Sequence, residues 1–303
     1  MPIRFFSGIS RAGWRRCALF LCFLCGGWLV YLALANALVW YCDKTVPRDP
    51  KTKICLGAEE RTLGPETATH AVLFVHGFVG GSNNFADVPE VLAEHGWHVR
   101  VMRLPGHGTS PRDFAKTAPD EFVDAVLAEY DALAAKYGEV SLVGHSMGGA
   151  LCTLAAAQRP VKKLVLAAPY FGVTYRWYLV LPVETWAALS APVVPWLYKG
   201  EFFLQLNRVK AKPHVFSYTW IPAQGVRTLL ELGARASQPD TLHAVTCPVL
   251  WLHAPGDAAA SFDAAKDAVE AMSSDTKETV SLPYSNHHIF WDYDSATVVK
   301  EIV

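Results

Sequence analysis

From about residue 70 onward, apolar and polar positions alternate with two distinct periods. Short apolar runs at 70–75 (HAVLFV), 98–104 (HVRVMRL), 140–143 (VSLV), 163–168 (KLVLAA), 248–252 (PVLWL) and 278–282 (ETVSL) read as buried strands. Between them, stretches at 85–95, 119–137, 148–159 and 260–272 carry the longer period of amphipathic helices. The second of these opens on Pro119-Asp120-Glu121, which suits a first helical turn, and stops at Gly138. Apolar runs that alternate with helices predict an α/β fold, a mostly parallel sheet with helices on both faces. Residues 43–69 are polar with scattered Pro and Gly, and read as a linker leading into short antiparallel strands.

Two segments break this rhythm. Residues 170–236 hold thirteen aromatic residues, among them Tyr175, Trp177, Tyr178, Phe202, Phe203 and Trp220, with many prolines. That is too long and too aromatic for a turn between a strand and a helix, and it reads as a cap laid over a site. Extra core packing is the competing use. The other exception is the N-terminus, where the 25 residues from Cys17 to Tyr41 carry no charge. About 20 such residues span a bilayer core. The expected organisation is a basic segment and membrane anchor over 1–42 and a linker with entry strands over 43–69. A core over 70–169 and 237–303 follows, with the cap over 170–236.

A single-pass anchor competes with a cleaved signal peptide, since Ala33-Leu-Ala35 and Ala35-Asn-Ala37 fit small-residue cleavage sites. The apolar stretch exceeds the roughly 7–15 residues of an ordinary signal, which favours the anchor. Arg4, Arg11, Arg15 and Arg16 precede the span, and Lys44, Arg48, Lys51 and Lys53 follow it, so basic residues alone do not orient it. The signal-like layout places the N-terminus inside and the rest on the outer, extracytoplasmic face.

Composition narrows the choice of partners. The net charge is −1 and no basic block stands outside the first sixteen residues, so nucleic acid is not an expected partner. The seven cysteines form no paired metal-ligand array and read as small buried hydrophobes. A Cys42–Cys55 bridge would require an oxidising compartment. No metal spacing and no phosphate-cradling loop is present, so no cofactor is expected.

The chemistry is concentrated in three places. Gly144-His145-Ser146-Met147-Gly148 is a G-x-S-x-G motif between a strand and a helix, a setting that projects a serine hydroxyl from a sharp turn. A hydroxyl is a weak nucleophile and needs a base, which needs an orienting carboxylate. Asp257 follows one strand and His287 the next, in the order serine, acid, histidine. His288 is the alternative base, and Asp263 and Asp267 the alternative acids, although both fall within a helical pattern. An oxyanion hole would use the backbone N–H groups of Met147 and Phe78. His76, Gly77 and His145 are expected to flank the substrate, with His76 chiefly bracing its loop and His145 packed beneath the turn. His70, His95, His98, His107, His214, His243 and His253 show no ligand spacing.

With HGFVGG, LPGHGTSP, GHSMGG, APGD and SNH in this order, residues 70–292 resemble the α/β-hydrolase superfamily, and are similar to bacterial carboxylesterases and monoacylglycerol lipases. Ser285-Asn286-His287 and Asp292 resemble the S-G-H-x-x-x-x-D ending of small esterases, with Asn286 where glycine is usual. The resemblance implies Ser-Asp-His catalysis on esters, no cofactor and a cap between strands. The membrane segment is a departure from soluble relatives and points to a lipophilic ester, such as a monoacylglycerol or lysolipid, drawn from the bilayer. Cleavage of C–C bonds, thioesters or amides shares the same triad. A non-catalytic binding relative would show a broken one.

Overall fold

A computed structural model describes residues 11–174, 180–191, 193–200 and 204–303. The expectations placed on Arg4, Tyr175, Trp177, Tyr178, Phe202 and Phe203 lie outside the described residues. The chain divides into two compact units, Met1–Thr45 and Val46–Val303.

In the first unit, one helix, α1 (Arg11–Thr45), runs for 35 residues, about 50 Å at 1.5 Å per residue. It is long and apolar enough to cross a membrane. Phe20, Phe23, Leu29 and Leu34 on it are exposed side chains.

The second unit is built on a seven-stranded sheet. Its strands in chain order are β1 (Arg61–Leu63), β2 (His70–Val75), β3 (His98–Val101), β4 (Glu139–His145), β5 (Leu164–Ala167), β8 (Val249–His253) and β9 (Lys277–Ser281). Their spatial order is β1-β3-β2-β4-β5-β8-β9. Only β1 runs antiparallel, against β3; every other neighbour is parallel. The α/β-hydrolase fold is therefore present, with a single antiparallel entry strand.

The period of two explains the layers. Along β2, Ala71, Leu73 and Val75 enter one core while Val72 and Phe74 enter the other. Along β8, Val249 and Trp251 go to the first core, Leu250 and Leu252 to the second. Each fully buried large apolar side chain contributes roughly 1.5–3 kcal/mol, so a one-residue slip of either strand would be heavily penalised. The strand at 98–104 ends sooner than its apolar pattern, because Leu104 turns its N–H to His76 instead of to the sheet. Helix α4 (Pro119–Tyr137) has the bounds its pattern predicts, its first turn closed by Ala118 N–H donating to Glu121 Oε1 at 2.8 Å.

Within 170–236 the described elements are α6 (Val183–Ser190), a two-stranded antiparallel ribbon of β6 (Trp196–Tyr198) and β7 (Trp220–Pro222), a 3-10 helix (Val209–His214) between those two strands, and α7 (Ala223–Ala236). Helix α7 differs from the rest of the insertion. It packs on α5 (Met147–Ala156) and α4, with Leu232 and Ala236 in the first core. Gly225 and Gly233 permit this: a Cβ would stand 2.3 Å from the Phe114 ring and 2.5 Å from the Tyr170 ring, respectively. The insertion thus ends in a core helix. Among the described residues no two cysteines are bonded to each other.

Candidate active site

Ser146 sits between β4 and α5 with φ 55° and ψ −120°, a conformation rarely adopted by residues with side chains. Backbone bonds hold it there. Ser146 N–H donates to Ala167 O at 3.1 Å, while its carbonyl accepts from Gly149 N at 2.8 Å and Tyr170 N at 2.9 Å. The flanking glycines make the turn sterically feasible: a Cβ on Gly148 would lie 1.9 Å from Val75 O, and one on Gly144 2.4 Å from Gly148 O. Strain of this kind persists where the surroundings over-determine it.

The turn presents the Ser146 hydroxyl to His287, whose Nε2 lies 2.8 Å from Oγ. His287 Nδ1 lies 2.8 Å from Asp257 Oδ2. The carboxylate only accepts, so Nδ1 carries the proton and Nε2 is left bare toward the serine O–H. His287, not His288, reaches Ser146. Asp263 and Asp267 are exposed on α9 (Phe262–Ala271), away from this relay.

Asp257 is fully enclosed and fully bonded. Its Oδ1 accepts from Ala259 N at 2.7 Å and Ala260 N at 3.0 Å. Its Oδ2 also accepts from a second imidazole, His253 Nε2, at 3.1 Å. Trp251 Nε1–H donates to His253 Nδ1 at 3.2 Å, which fixes the tautomer that donates to Asp257. Burial pushes the Asp257 carboxyl up, but the charge of His287 and the N–H groups of His253 and His287 outweigh it and hold the group well below the usual carboxylate range. His253 is given no role by the sequence reading, as a histidine without ligand spacing. Its signal was position: it shares a strand face with Trp251 and stands four residues before the acid.

Asn286 joins the acid loop to the histidine loop, its Oδ1 accepting from Ala258 N at 3.0 Å and His287 N at 2.9 Å. Asp292, buried, accepts from Asn207 N, Arg208 N and Asn286 N, and so ties the insertion to the same loop.

The N–H groups of Phe78 and Met147 donate to no protein group among the described residues. The Phe78 loop is braced by two buried histidines of the same tautomer. Leu104 N–H donates to His76 Nε2 at 3.1 Å while His76 Nδ1–H donates to Gly77 O at 2.9 Å. Val79 N–H donates to His107 Nε2 at 3.2 Å while His107 Nδ1–H donates to Pro105 O at 2.9 Å. Burial lowers both, His107 to about 4, and keeps their acceptor nitrogens unprotonated. The His76 ring is wholly buried, both its nitrogens are committed to backbone, and it does not line the cavity beside Ser146. His145 donates from Nε2 to His287 O at 3.0 Å, and burial lowers it to about 3.

The same loop is stitched to the descending arm of the insertion. Asn83 Nδ2 donates to His214 O, Phe216 N to Asn83 Oδ1, and Tyr218 N to Val79 O.

A cavity of about 400 Å³ opens beside Ser146. Gly77, Phe78, His145 and His287 line it from the core, and Leu197, Tyr198, Lys199, Gln205, Ile221 and Leu229 from the insertion. Among the described residues no carboxylate lines it. Such a site can accept an apolar acyl group, attack its carbonyl with Ser146 and offer two N–H donors to the resulting oxyanion.

Compared with known proteins, the chain matches the family described as serine aminopeptidase, S33, over residues 66–294. It is 26% identical to a thermostable monoacylglycerol lipase of Bacillus sp. (strain H-257) over 240 residues, 78% of this chain and 89% of that lipase. Among solved structures, one from a description of LipS and LipT, two metagenome-derived lipolytic enzymes, has a TM-score of 0.73 at 23% identity, covering 82% of this chain and 97% of its own. A soluble variant of monoglyceride lipase from Saccharomyces cerevisiae, in complex with a substrate analog, has a TM-score of 0.69 at 17% identity, covering 80% and 88%. At these identities the two structures speak to the fold.

Proposed function

The chain belongs to the serine aminopeptidase S33 family and is an ester-hydrolysing enzyme with the α/β-hydrolase fold, and from this premise we propose that it cleaves lipophilic acyl esters through an acyl-enzyme on Ser146. His287 takes the hydroxyl proton as Ser146 attacks the carbonyl. The Met147 and Phe78 N–H groups hold the oxyanion, each contributing about 3–4 kcal/mol to the transition state. Asp257 keeps the His287 tautomer and steadies the imidazolium. Water, activated by the same imidazole, then releases the acid. The observation that carries the reading is the continuous relay Ser146–His287–Asp257, with 2.8 Å at both links.

The substrate class is a monoester such as a monoacylglycerol or lysolipid. The apolar cavity supports it, as do the exposed Val180, Trp186 and Leu189 of the insertion, which we assign as the cap. Helix α1 serves as a membrane anchor with the catalytic unit on the outer face. The family description favours a second reading, release of an N-terminal amino acid from a peptide. That reaction requires a partner for the peptide ammonium, and no carboxylate lines the cavity among the described residues.

The test is labelling by a fluorophosphonate probe in isolated membranes. Wild type labels, and Ser146→Ala and His287→Ala lose at least 90% of the signal, about tenfold. Equal labelling of wild type and Ser146→Ala would falsify the nucleophile. Turnover of aminoacyl p-nitroanilides above that of p-nitrophenyl esters would favour the peptidase reading.

A further inference from the structure

Among the polar side chains of the cavity, Lys199, Gln205 and His288 are not used by the relay or its braces. Lys199, at the end of β6, directs Nζ to Ser217 Oγ at 2.8 Å and keeps the rest of its ammonium unmatched. Gln205 accepts from His288 N at its backbone carbonyl, 3.2 Å, while its side-chain amide bonds no protein group among the described residues. His288 is buried, and its Nδ1 has no hydrogen-bond partner among the described residues. No acidic side chain among the described residues pairs with Lys199, and none lines the cavity.

Lys199 is half-buried, and an ammonium partly withdrawn from water without a counter-charge is costly. Here the neighbours add no relief. The titratable groups sharing the cavity are His145, His287, His288, Tyr170 and Tyr198. Burial lowers Lys199 to about 8. A group brought by the ligand resolves the imbalance, provided it is anionic and accepts several hydrogen bonds.

We propose that Lys199, Gln205 and His288 form a subsite for an anionic group, carboxylate or phosphate, carried by the ester that Ser146 cleaves. The inference rests on the hydrolase reading above and narrows its substrate class to esters that carry a negative charge. The cavity supplies apolar walls for the chain and one cationic position for its charged end.

Two matched pairs of esters test it. Mono-p-nitrophenyl adipate against p-nitrophenyl hexanoate places the charge on the acyl side at constant chain length. Oleoylglycerol 3-phosphate against oleoylglycerol places it on the alcohol side. The quantity read is the ratio of kcat/KM, anionic over neutral, in wild type, Lys199→Met and Lys199→Arg. In at least one pair Lys199→Met lowers the ratio about 30-fold, as loss of one member of a buried charge pair does, and Lys199→Arg retains most of it. The wild-type ratio also falls as pH rises through about 8, where the ammonium is lost. The His287 dependence is common to both esters and cancels. Ratios that stay within about threefold of wild type in both pairs, with no decline above pH 8, overturn the subsite and leave the hydrolase standing. Failure to turn over any of the four esters, with no fluorophosphonate labelling, overturns both.

Discussion

Asp257 accepts from two imidazoles through one oxygen, and only one of them, His287, also reaches Ser146. His253 Nε2–H and His287 Nδ1–H converge on Oδ2 while two backbone N–H groups fill Oδ1. A carboxylate bonded on every side cannot rotate, so the His287 ring is aimed from behind. His253 is thus a positioning residue. His253→Phe keeps the volume, removes the donor and lowers kcat about tenfold with KM little changed, since one charge-assisted bond is worth about 1.5–3 kcal/mol. His253→Gln, which retains an N–H, recovers part of the loss. Steady-state kinetics on a p-nitrophenyl ester decide the matter, and equal losses in both variants remove the positioning role. Ser146, Asp257 and His287 stood out in the sequence because each lies at a strand end in a fixed order. Asn286 and Asp292 belong to the short ending around His287, but their bonds to residues up to 85 positions away are announced by no local pattern.

At the scale of elements, the turn between β4 and α5 is a packed object, held by contacts that exclude any Cβ. Gly148→Ala forces a methyl group to 1.9 Å from Val75 O and is expected to cost about 3 kcal/mol, read as a lower urea midpoint, with loss of probe labelling. Gly256→Ala, where an added Cβ meets nothing within 4 Å, should shift stability by less than about 0.5 kcal/mol. Similar midpoints for the two variants would mean the turn relaxes freely. The six strands expected from 70 onward are present; five are apolar because they are covered on both faces, whereas the last, β9, expected as buried, lies exposed at the sheet edge. Helix α7 falls inside the stretch expected as cap, although its own sequence is amphipathic; what the pattern does not tell is its use, because the buried stripe of Ala223, Gly225, Thr228, Leu232, Gly233 and Ala236 is mostly small residues that pack closely on the core. The arginine that closes this helix's last turn, Arg235, pairs instead with Asp120 of α4 at 2.7 Å.

For the whole molecule, the long apolar α1 and the catalytic unit make separate predictions. The full chain, tagged at its N-terminus, should remain in the pellet after alkaline carbonate extraction with its tag intact. A tag that is lost while active enzyme appears in the soluble fraction would identify a cleaved signal instead. The stitching of residues 79–84 to 214–218 has a separate consequence, for recombination. Asn83, Asn84 and Val79 bond His214, Phe216 and Tyr218 across more than 130 positions of sequence. A chimera that takes its insertion from one parent and its Phe78 loop from another cuts these bonds at a crossover, however well each parent folds. Libraries built from this scaffold should therefore inherit the two segments as one block and vary the ascending arm between Val180 and Tyr198.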